Sequence, residues 1–419
     1  MRRMTAFAAY ITTSFVARAL NLLVIILFAS RLASDDFGRY AFLQMTVSLI
    51  VLLLSSGVTI HLSNALARGG PERRQAENLL VAMILAGGAL CAAMASGLIF
   101  HYNRAAIQLP DAAFVPFITL CALAFCQTLC TSALLARGGN NWTGLSTLVS
   151  AAIPLPVLLS MRDMALPAAV ELACLAYAAG SLLLMAGIFR AGAIVDIRRF
   201  AVHLAGYARR EAGAILRLAA QVCLSNVVFL GALWLLQRQL IMTAGPSEGA
   251  VFALSNQIYN IVIFLPSIVG PLVLRQLNRA PDDADRQRQA SRLTATSSIL
   301  ALSGVAVFAL ASPFVAEIFP AKYQIGAVPL ILAVACGGVM FAKFPLSVFF
   351  QSRAAGSPEL IGSVAAGIVV IVGLGAAHVA QSAEMALGLR VMAHAAQAAV
   401  VALMFLGCKS RKRGLEAHR

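Results

Sequence analysis

Four basic residues stand inside long apolar stretches of the sequence: Arg18, Arg238, Lys343 and Arg390. A charged side chain in a membrane helix is costly, so it faces the protein interior or a water-filled cavity and marks a candidate functional site. Glu171 is the only acidic residue that we place well inside the same stretches. Because one carboxylate cannot neutralise four cations, the excess predicts counterions or an anionic ligand.

Polar residues recur at helical spacing beside two of these cations. Ser14, Arg18 and Asn21 follow an i, i+4, i+7 spacing, which places them on one helix face. Arg390 and His394 lie one turn apart in the last apolar stretch. Such faces in both halves of the chain predict one central, cationic cavity between the halves.

Asn256 and Asn260 extend this pattern, because they share a face of the eighth apolar stretch. Each of these candidates has a simpler alternative. The amides could form hydrogen bonds between helices, Arg238 lies near a segment end from which its side chain could reach the membrane surface, and His394 could be a packing residue. The residues that we predict to contact the ligand are Arg18, Asn21, Arg238, Asn256, Asn260, Lys343, Arg390 and His394.

Membrane-spanning helices are the elements that must position these residues. The 419-residue chain is 60% hydrophobic and 12% charged, whereas soluble domains have about 45–50% apolar and about 25% charged residues. A spanning helix needs about 20 mainly apolar residues, and such segments fall at 5–30, 40–62, 77–100, 112–136, 143–161, 166–189, 215–241, 249–274, 293–315, 328–350, 358–379 and 384–407. We therefore predict an all-α integral membrane protein of about twelve transmembrane helices, with no room for a soluble catalytic domain.

Basic residues in the connections predict the orientation, because loops rich in Lys and Arg stay on the cytoplasmic side. Most of the 32 basic residues fall in one set of alternate connections and in the two tails. The other connections hold only Arg31, Arg39, Arg104, Arg162 and Lys322. Both termini are therefore predicted to be cytoplasmic. The net charge of +15 is spread over loops, which disfavours a nucleic-acid partner.

A weak internal repeat divides the chain. Residues 32–42 resemble residues 243–253, with a glycine in register and an acidic residue shortly before it, and 135–140 resemble 351–356. The two members of each pair of stretches are separated by a similar number of residues, which favours a duplication of the chain. The two halves would share one orientation and be related by a pseudo-two-fold axis along the membrane normal. We predict six-helix bundles at 1–190 and 215–408, a basic cytoplasmic linker at 191–214 and a basic cytoplasmic tail at 409–419.

The sequence resembles a known family of membrane proteins. The resemblance rests on Arg18 in the first segment, the short connection 33–41 that leads straight into the second, and the Ala136-Arg137-Gly138 end of the fourth. With the six-plus-six layout and the basic middle connection, these features are similar to the polysaccharide-export branch (Wzx type) of the multidrug/oligosaccharidyl-lipid/polysaccharide (MOP) flippase superfamily. The similarity extends over essentially the whole chain.

The resemblance implies a V-shaped pair of bundles in the bacterial inner membrane. It implies a flippase that moves a polyprenyl-pyrophosphate-linked oligosaccharide, the repeat unit of an O-antigen or exopolysaccharide, to the outer leaflet by alternating access. Arg18 lies where the first helix of such proteins often has a cavity cation, and arginine suits a pyrophosphate group. The implied partners are the lipid-linked substrate, membrane lipids and other polysaccharide-assembly proteins. No metal or cofactor is expected.

Two other functions remain open at this point. A drug/cation antiporter of the same superfamily should have buried carboxylates, and the sequence is short of them. A membrane glycosyltransferase or polysaccharide polymerase could use Asp35 and Asp36 as a catalytic acid pair, but such enzymes usually have a large outer loop or domain.

Overall fold

The fold is entirely helical in the part of the chain that the structure describes. This structure, a computed structural model, describes residues 2–68, 74–136, 140–189, 197–353, 355–375 and 381–417. Within these ranges it contains thirteen α-helices, two short 3-10 helices and no strand. A helix satisfies its backbone hydrogen bonds internally, which lipid requires of a single spanning segment.

The first seven helices, in chain order, are α1 (Arg2–Arg31), α2 (Ser34–Arg68), α3 (Arg74–Ile107), α4 (Phe114–Ala136), α5 (Asn140–Ala152), α6 (Pro154–Ser160) and α7 (Leu166–Phe189). They are followed by α8 (Ile197–Ala244), α9 (Pro246–Asn278), α10 (Asp283–Ala316), α11 (Ala327–Ser352), α12 (Ser357–Gly375) and α13 (Ala383–Ala417). The 3-10 helices lie at Asp111–Ala113 and Ala321–Tyr323.

Twelve segments of these described residues are long and apolar enough to cross a membrane: Thr12–Arg31, Ser34–Ser56, Ile84–Ile107, Asp111–Leu135, Asn141–Ser160, Leu166–Ile188, Ala220–Ala244, Pro246–Pro266, Asp283–Ala316, Ala327–Ser352, Ser357–Gly375 and Ala383–Cys408. The predicted all-α architecture with twelve spans is therefore confirmed.

The fifth span differs from the single helix expected at 143–161, because it consists of α5 and α6. The break falls at Ile153, and Pro154 is the first residue of α6. Proline has no backbone N–H to continue a helical hydrogen-bond ladder, but it is well suited to the first position of a helix. The proline therefore ends one helix and begins the next within one span.

The chain divides into two compact units, Met1–Cys223 and Leu224–Arg419. The boundary lies inside α8, a 48-residue helix. The described part of the predicted basic linker, from Ile197 onward, is thus helical and continues into the seventh span, while residues 190–196 lie outside the described residues. The bundle limits at 190 and 215 stay a prediction.

In the first unit, α4 lies at the centre and packs against α2, α3 and α7, while α1 packs against α5. Close helix approach depends on small residues, as in other membrane bundles. A Cβ atom added at Gly88 would lie 2.2 Å from the Phe125 ring, and one at Gly180 would lie 2.1 Å from Ser150 Oγ. Ser146 Oγ also donates to the Gly180 carbonyl at 2.9 Å, so packing and hydrogen bonding hold α5 against α7.

In the second unit, α11 is the central helix and packs against α9, α10 and α13, and α12 packs against α13. Gly337 lets α11 approach α9, because an added Cβ there would lie 2.6 Å from Val262. Gly362 similarly lets α12 approach Gln397 on α13. These contacts bring the polar faces of α9, α11, α12 and α13 toward one another.

The first pair of repeated stretches forms similar junctions in the two units. One is the turn from α1 to α2 and the other is the turn from α8 to α9, and Asp36 and Glu248 are each the third residue of the second helix. Gly245 has φ +96° and ψ 164° at its turn, a conformation that is essentially restricted to glycine. In the second pair, residues 137–139, including Arg137, lie outside the described residues.

Candidate functional site

Arg390 lies at the centre of a buried group of polar residues in the second unit. Its side chain on α13 is 5% exposed. Nη1 donates a hydrogen bond to Asn256 Oδ1 on α9, and the guanidinium carbon lies 4.2 Å from the centroid of the Tyr259 ring. Both contacts suit a guanidinium group, which can donate in its plane while its face stacks on an aromatic ring.

The partners of Arg390 are neutral. Among the described residues, no carboxylate forms an ion pair with its guanidinium, and its remaining hydrogen bond runs from Nε to His394 Nε2 at 3.4 Å. A buried cation without an opposite charge retains much of its desolvation cost. The site therefore favours any anion that can reach it.

His394 is the most enclosed member of this group, with no exposed surface. Its ring lies between Phe229 and Tyr259, with centroids 4.9 and 5.5 Å away. Nε2 is placed to accept the hydrogen bond that Arg390 Nε donates. Among the described residues no hydrogen-bond partner reaches Nδ1, so the contact that His394 makes through Nε2 helps to orient the guanidinium.

The charge of Lys343 is neutralised by a carboxylate that the sequence did not indicate. Its Nζ lies 2.9 Å from Glu359 Oε2, and the two side chains are 4% and 22% exposed. Glu359 occupies the first turn of α12, at the edge of the predicted segment, whereas Glu171 is exposed on α7. Because Glu359 neutralises Lys343, the excess of buried positive charge is smaller than predicted.

Hydroxyl and amide groups of α8, α12 and α13 form a hydrogen-bonded group beside the Lys343–Glu359 pair. Ser225 Oγ lies 2.7 Å from Ser363 Oγ, and Gln397 Nε2 donates to Ser363 Oγ at 3.1 Å. Ser225 Oγ also donates to the Glu359 carbonyl at 3.3 Å. We call the whole group the C-terminal polar cluster, and its members are Ser225, Asn256, Tyr259, Lys343, Glu359, Ser363, Arg390, His394 and Gln397.

The predicted residues of the first unit lie in a different setting. Arg18 and Asn21 are both exposed on α1. Arg18 lies near enough to the enclosed hydroxyl of Tyr177 on α7 to act on it electrostatically. Its guanidinium is therefore accessible to a ligand in a way that Arg390 is not.

The remaining two predicted residues are half-buried in the second unit. Arg238 lies near the end of the seventh span, Ala220–Ala244. Asn260 Nδ2 donates to Gln257 Oε1 on its own helix at 3.4 Å. The structure thus brings Asn256, Lys343, Arg390 and His394 into one cluster, while the predicted cavity that would join them to Arg18 and Asn21 stays a prediction.

Sequence reasoning missed Tyr259, Glu359 and Ser363. Glu359 and Ser363 stand four residues apart on one face of α12, which is the spacing that identified the other polar faces. Tyr259 carries no comparable signal, because an aromatic residue in an apolar segment usually packs in the core. Only the contact with Arg390 distinguishes it.

Asp36, one residue of the candidate acid pair, forms an ion pair in the structure. Its Oδ1 lies 3.0 Å from Arg39 Nη1, and Arg39 Nε donates to the Ile107 carbonyl at the end of α3. This ion pair ties the start of α2 to the end of α3. The described residues also contain no group of three or more His, Cys, Asp or Glu side chains placed to hold a metal ion.

The fold of the chain is similar to that of solved transporters of the MOP superfamily. A multidrug resistance MATE-family transporter of this superfamily, solved in an inward-facing conformation, matches with a TM-score of 0.70 at 16% identity, and 96% of each chain is covered. The lipid II flippase MurJ in an inward closed conformation also matches with a TM-score of 0.70, at 11% identity, over 94% of this chain and 87% of that one. No family profile matches the sequence.

Two curated relatives make the comparison more specific, and both are named EPS I polysaccharide export inner membrane protein EpsE. The protein from Ralstonia nicotianae is 27% identical over 87% of this chain and 84% of its own length. The protein from Ralstonia solanacearum is 28% identical over 79% of this chain and 76% of its own length. These matches confirm the predicted resemblance, and together with the fold they support a membrane transporter or flippase.

Proposed function

We propose that the protein is a flippase that moves an anionic polyprenyl-pyrophosphate-linked oligosaccharide across the bacterial inner membrane by alternating access. The observation that carries this proposal is the buried Arg390, whose partners in the described part of the chain are neutral. The names of the two relatives support polysaccharide export as the process and the inner membrane as the location. A pyrophosphate group supplies the negative charge that this environment favours.

Arg390 would bind the substrate by exchanging one partner. A phosphate oxygen in place of Asn256 Oδ1 would accept a charge-assisted hydrogen bond from Nη1, which is about twice as strong as a neutral one. Tyr259 would keep the plane of the guanidinium fixed during this exchange. Asn256 would then be free to bind a sugar hydroxyl, and the exchange makes binding reversible, as transport requires.

Arg18 and Asn21 would make the contacts of the first unit with the same substrate. Both are exposed on α1, whereas Arg390 is buried. We assign Lys343 to fixing the C-terminal polar cluster, since Glu359 already holds its charge. Arg238 and Asn260 remain candidates for sugar contacts, together with the predicted central cavity between the halves.

A drug/cation antiporter is the second candidate, and Glu359 is the observation that favours it. The antiporter interpretation requires a carboxylate inside the bundle, and Glu359 is one that the sequence did not indicate. Its pairing with Lys343 weakens this interpretation, because a carboxylate that is bound to an ammonium group attracts a second cation less strongly.

Complementation of an export-deficient strain tests the proposal. Arg390→Gln and Arg18→Ala should each lower polysaccharide export at least about tenfold, since a lost hydrogen bond to a charged group costs about 1.5–3 kcal/mol. Lipid-linked precursor should accumulate in the same cells. The matched control is Arg104→Gln, because Arg104 is half-exposed and pairs with Asp111; this variant should export normally.

Each outcome separates the candidates. Full export by both Arg390→Gln and Arg18→Ala, at normal protein levels, overturns the cationic site. A wild-type protein that confers drug resistance without restoring polysaccharide export, together with loss of this resistance in Glu359→Gln at normal protein levels, identifies the antiporter. Thermal unfolding of purified Arg390→Gln in detergent shows whether the variant is folded, and Gln retains an amide donor for Asn256.

A further inference from the structure

One face of α9 makes a series of contacts with α13. Glu248, Phe252, Asn256 and Tyr259 follow an i, i+4, i+8, i+11 spacing, which places them on the same side of the helix. The last three lie against the Arg390 guanidinium. Its Nη1 donates to Asn256 Oδ1, and its carbon lies 6.0 Å from the centroid of the Phe252 ring and 4.2 Å from that of Tyr259. This face of α9 therefore sets the position of the guanidinium.

Glu248 makes the first contact of this face, about two turns before Asn256. Its Oε2 accepts a hydrogen bond from the backbone N–H of Ala383 at 2.7 Å, and Ala383 is the first residue of α13. Glu248 is half-buried, and a hydrogen bond to an ionised carboxylate is stronger than a neutral one. The carboxylate therefore fixes the start of α13 to the start of α9.

The two ends of this contact series are matched in height. Asn256 lies eight residues after Glu248, which is about 12 Å along α9 at 1.5 Å per residue. Arg390 lies seven residues after Ala383, which is about 10.5 Å along α13. Because backbone hydrogen bonds keep the rise per residue of a helix constant, a slip of α13 at Ala383 would move Arg390 along Asn256 and Tyr259 by a similar distance.

Other packing constrains the pair of helices less directly. In the described part of the chain, α9 packs mainly against α11, and α13 packs against α11 and α12. The two helices contact each other much less than they contact α11. The register of α13 against α9 therefore depends on the few polar contacts between them, and the one at Glu248 lies outside the Arg390 site.

We propose that Glu248 is a positioning residue for Arg390, because it fixes the start of α13 and so holds the guanidinium where it can bind the anionic head group of the substrate. The inference rests on the proposed function. Glu248 acts through Arg390 and not by contact with the head group, which a carboxylate would repel. Its loss should therefore weaken binding of an anion only while the guanidinium is present.

Isothermal titration calorimetry with farnesyl pyrophosphate, a short-chain polyprenyl pyrophosphate, tests this role on the full-length protein in detergent. Glu248→Ala should weaken binding about fivefold, which is the effect of one hydrogen bond. Glu248→Gln retains a carbonyl oxygen that can accept from Ala383, so its affinity should stay within about twofold of the wild type. Glu248→Asp has a carboxylate that is one methylene shorter; it should also weaken binding, and it replaces Glu248→Ala if that variant does not fold.

Ser382→Ala is the matched control for the stability of this helix end. Ser382 Oγ accepts a hydrogen bond from the backbone N–H of Met385 at 3.3 Å, so its loss weakens the first turn of α13 without breaking a contact to α9. Thermal unfolding should show a similar change for Ser382→Ala and Glu248→Ala. Only Glu248→Ala should lose affinity for farnesyl pyrophosphate.

Double-mutant cycles show whether Glu248 acts through Arg390. Arg390→Lys keeps a cation but not the planar guanidinium, and in this background Glu248→Ala should weaken binding less than about twofold. In an Arg18→Ala background the loss of about fivefold should remain, because Arg18 belongs to the other unit.

Several results would overturn the assignment. Wild-type affinity of folded Glu248→Ala would show that the contact does not position Arg390, and the flippase proposal would stand. Equal losses in the Arg390→Lys and Arg18→Ala backgrounds, or an equal loss in Ser382→Ala, would mean that Glu248 acts through stability alone. Binding by Glu248→Gln as weak as that by Glu248→Ala would exclude the hydrogen bond to Ala383 as the cause. If the wild type neither binds farnesyl pyrophosphate nor supports export, the proposed function fails as well.

Discussion

Arg390 and Lys343 show how the same residue class takes different roles according to its partners. Both side chains are buried in the second unit, but Lys343 pairs with a carboxylate and Arg390 contacts amide, imidazole and aromatic groups. Breaking a buried ion pair leaves an uncompensated charge, whereas a cation with neutral partners can still exchange one of them for an anion. The two residues should therefore respond differently to substitution.

Loss of the Glu359 carboxylate should destabilise the protein. Glu359→Gln leaves Lys343 buried and charged, and breaking a buried pair in this way costs about 3–5 kcal/mol. Thermal unfolding in detergent should show a clearly lower midpoint. The double variant Lys343→Met/Glu359→Gln should recover most of the loss, because it removes the stranded charge.

The exposed pair of Arg104 and Asp111 provides the control for this measurement. These side chains are 50% and 67% exposed, and surface ion pairs contribute about 0–1 kcal/mol. Asp111→Asn should therefore leave the midpoint nearly unchanged. A midpoint for Glu359→Gln that equals the wild-type value would mean that the Lys343 contact is not needed for stability.

At the scale of elements, short connections and helix ends position the cluster. The turn between α8 and α9 consists essentially of Gly245, and Glu248 in the next helix accepts a hydrogen bond from the backbone N–H of Ala383 at 2.7 Å. Ala383 begins α13, where the first backbone N–H groups have no partner within the helix. Glu248 therefore links the start of α9 to the start of the helix that carries Arg390.

Substitution at Gly245 should strain the α8–α9 turn. Gly245→Val places a branched side chain at φ +96°, which costs about 1–3 kcal/mol for a residue other than glycine. The yield of folded protein and its thermal midpoint should both fall. Gly326→Val is the matched control, because Gly326 also precedes a helix but has φ −76°; an equal effect of the two variants would exclude backbone strain as the cause.

Removal of the Glu248 carboxylate should loosen the start of α13. Glu248→Ala removes an acceptor at a helix N-terminus, a loss that typically costs about 1 kcal/mol. Amide hydrogen exchange should become faster at Ala383 and in the first turn of α13. Glu384→Ala is the comparison, since Glu384 is an exposed acidic residue of the same turn; if both variants exchange alike, the contact from α9 is not what protects this helix end.

At the scale of the whole molecule, the twelve spans and the charge distribution decide how the chain lies in the membrane. An even number of spans places both termini on one side, and the basic connections predict that this side is the cytoplasm. The same orientation would place the start of α12, with Glu359, nearer the cytoplasmic surface. A substrate of the proposed flippase would then reach the polar cluster from the cytoplasmic side.

Reporter fusions test this orientation. A fluorescent protein fused after residue 419 should fluoresce, because it folds in the cytoplasm, and alkaline phosphatase at the same point should be inactive. Alkaline phosphatase inserted after Arg162, between α6 and α7, should be active. The reverse pattern would require the opposite orientation and would exclude entry of the substrate from the cytoplasm at α12.

The sequence by itself determined the all-α class, the twelve spans and the resemblance to a polysaccharide-export family. These follow from local properties, since lipid demands long apolar helices and the distribution of Arg and Lys is visible without contacts. Helical spacing also identified the faces of Asn256, Arg390 and His394. It placed every one of these residues on the correct helix before any partner was known.

Only the tertiary structure decided which charges remain uncompensated. Lys343 and Glu359 are sixteen residues apart and belong to different helices, so their ion pair depends on how α11 and α12 are placed by packing against α13. The contact of Arg390 with Asn256 joins residues that are 134 positions apart. Which charges form ion pairs depends on how the helices pack. Burial strengthens the effect of this pairing, because in a low-dielectric interior a charge without an opposite partner is the one that can attract a ligand.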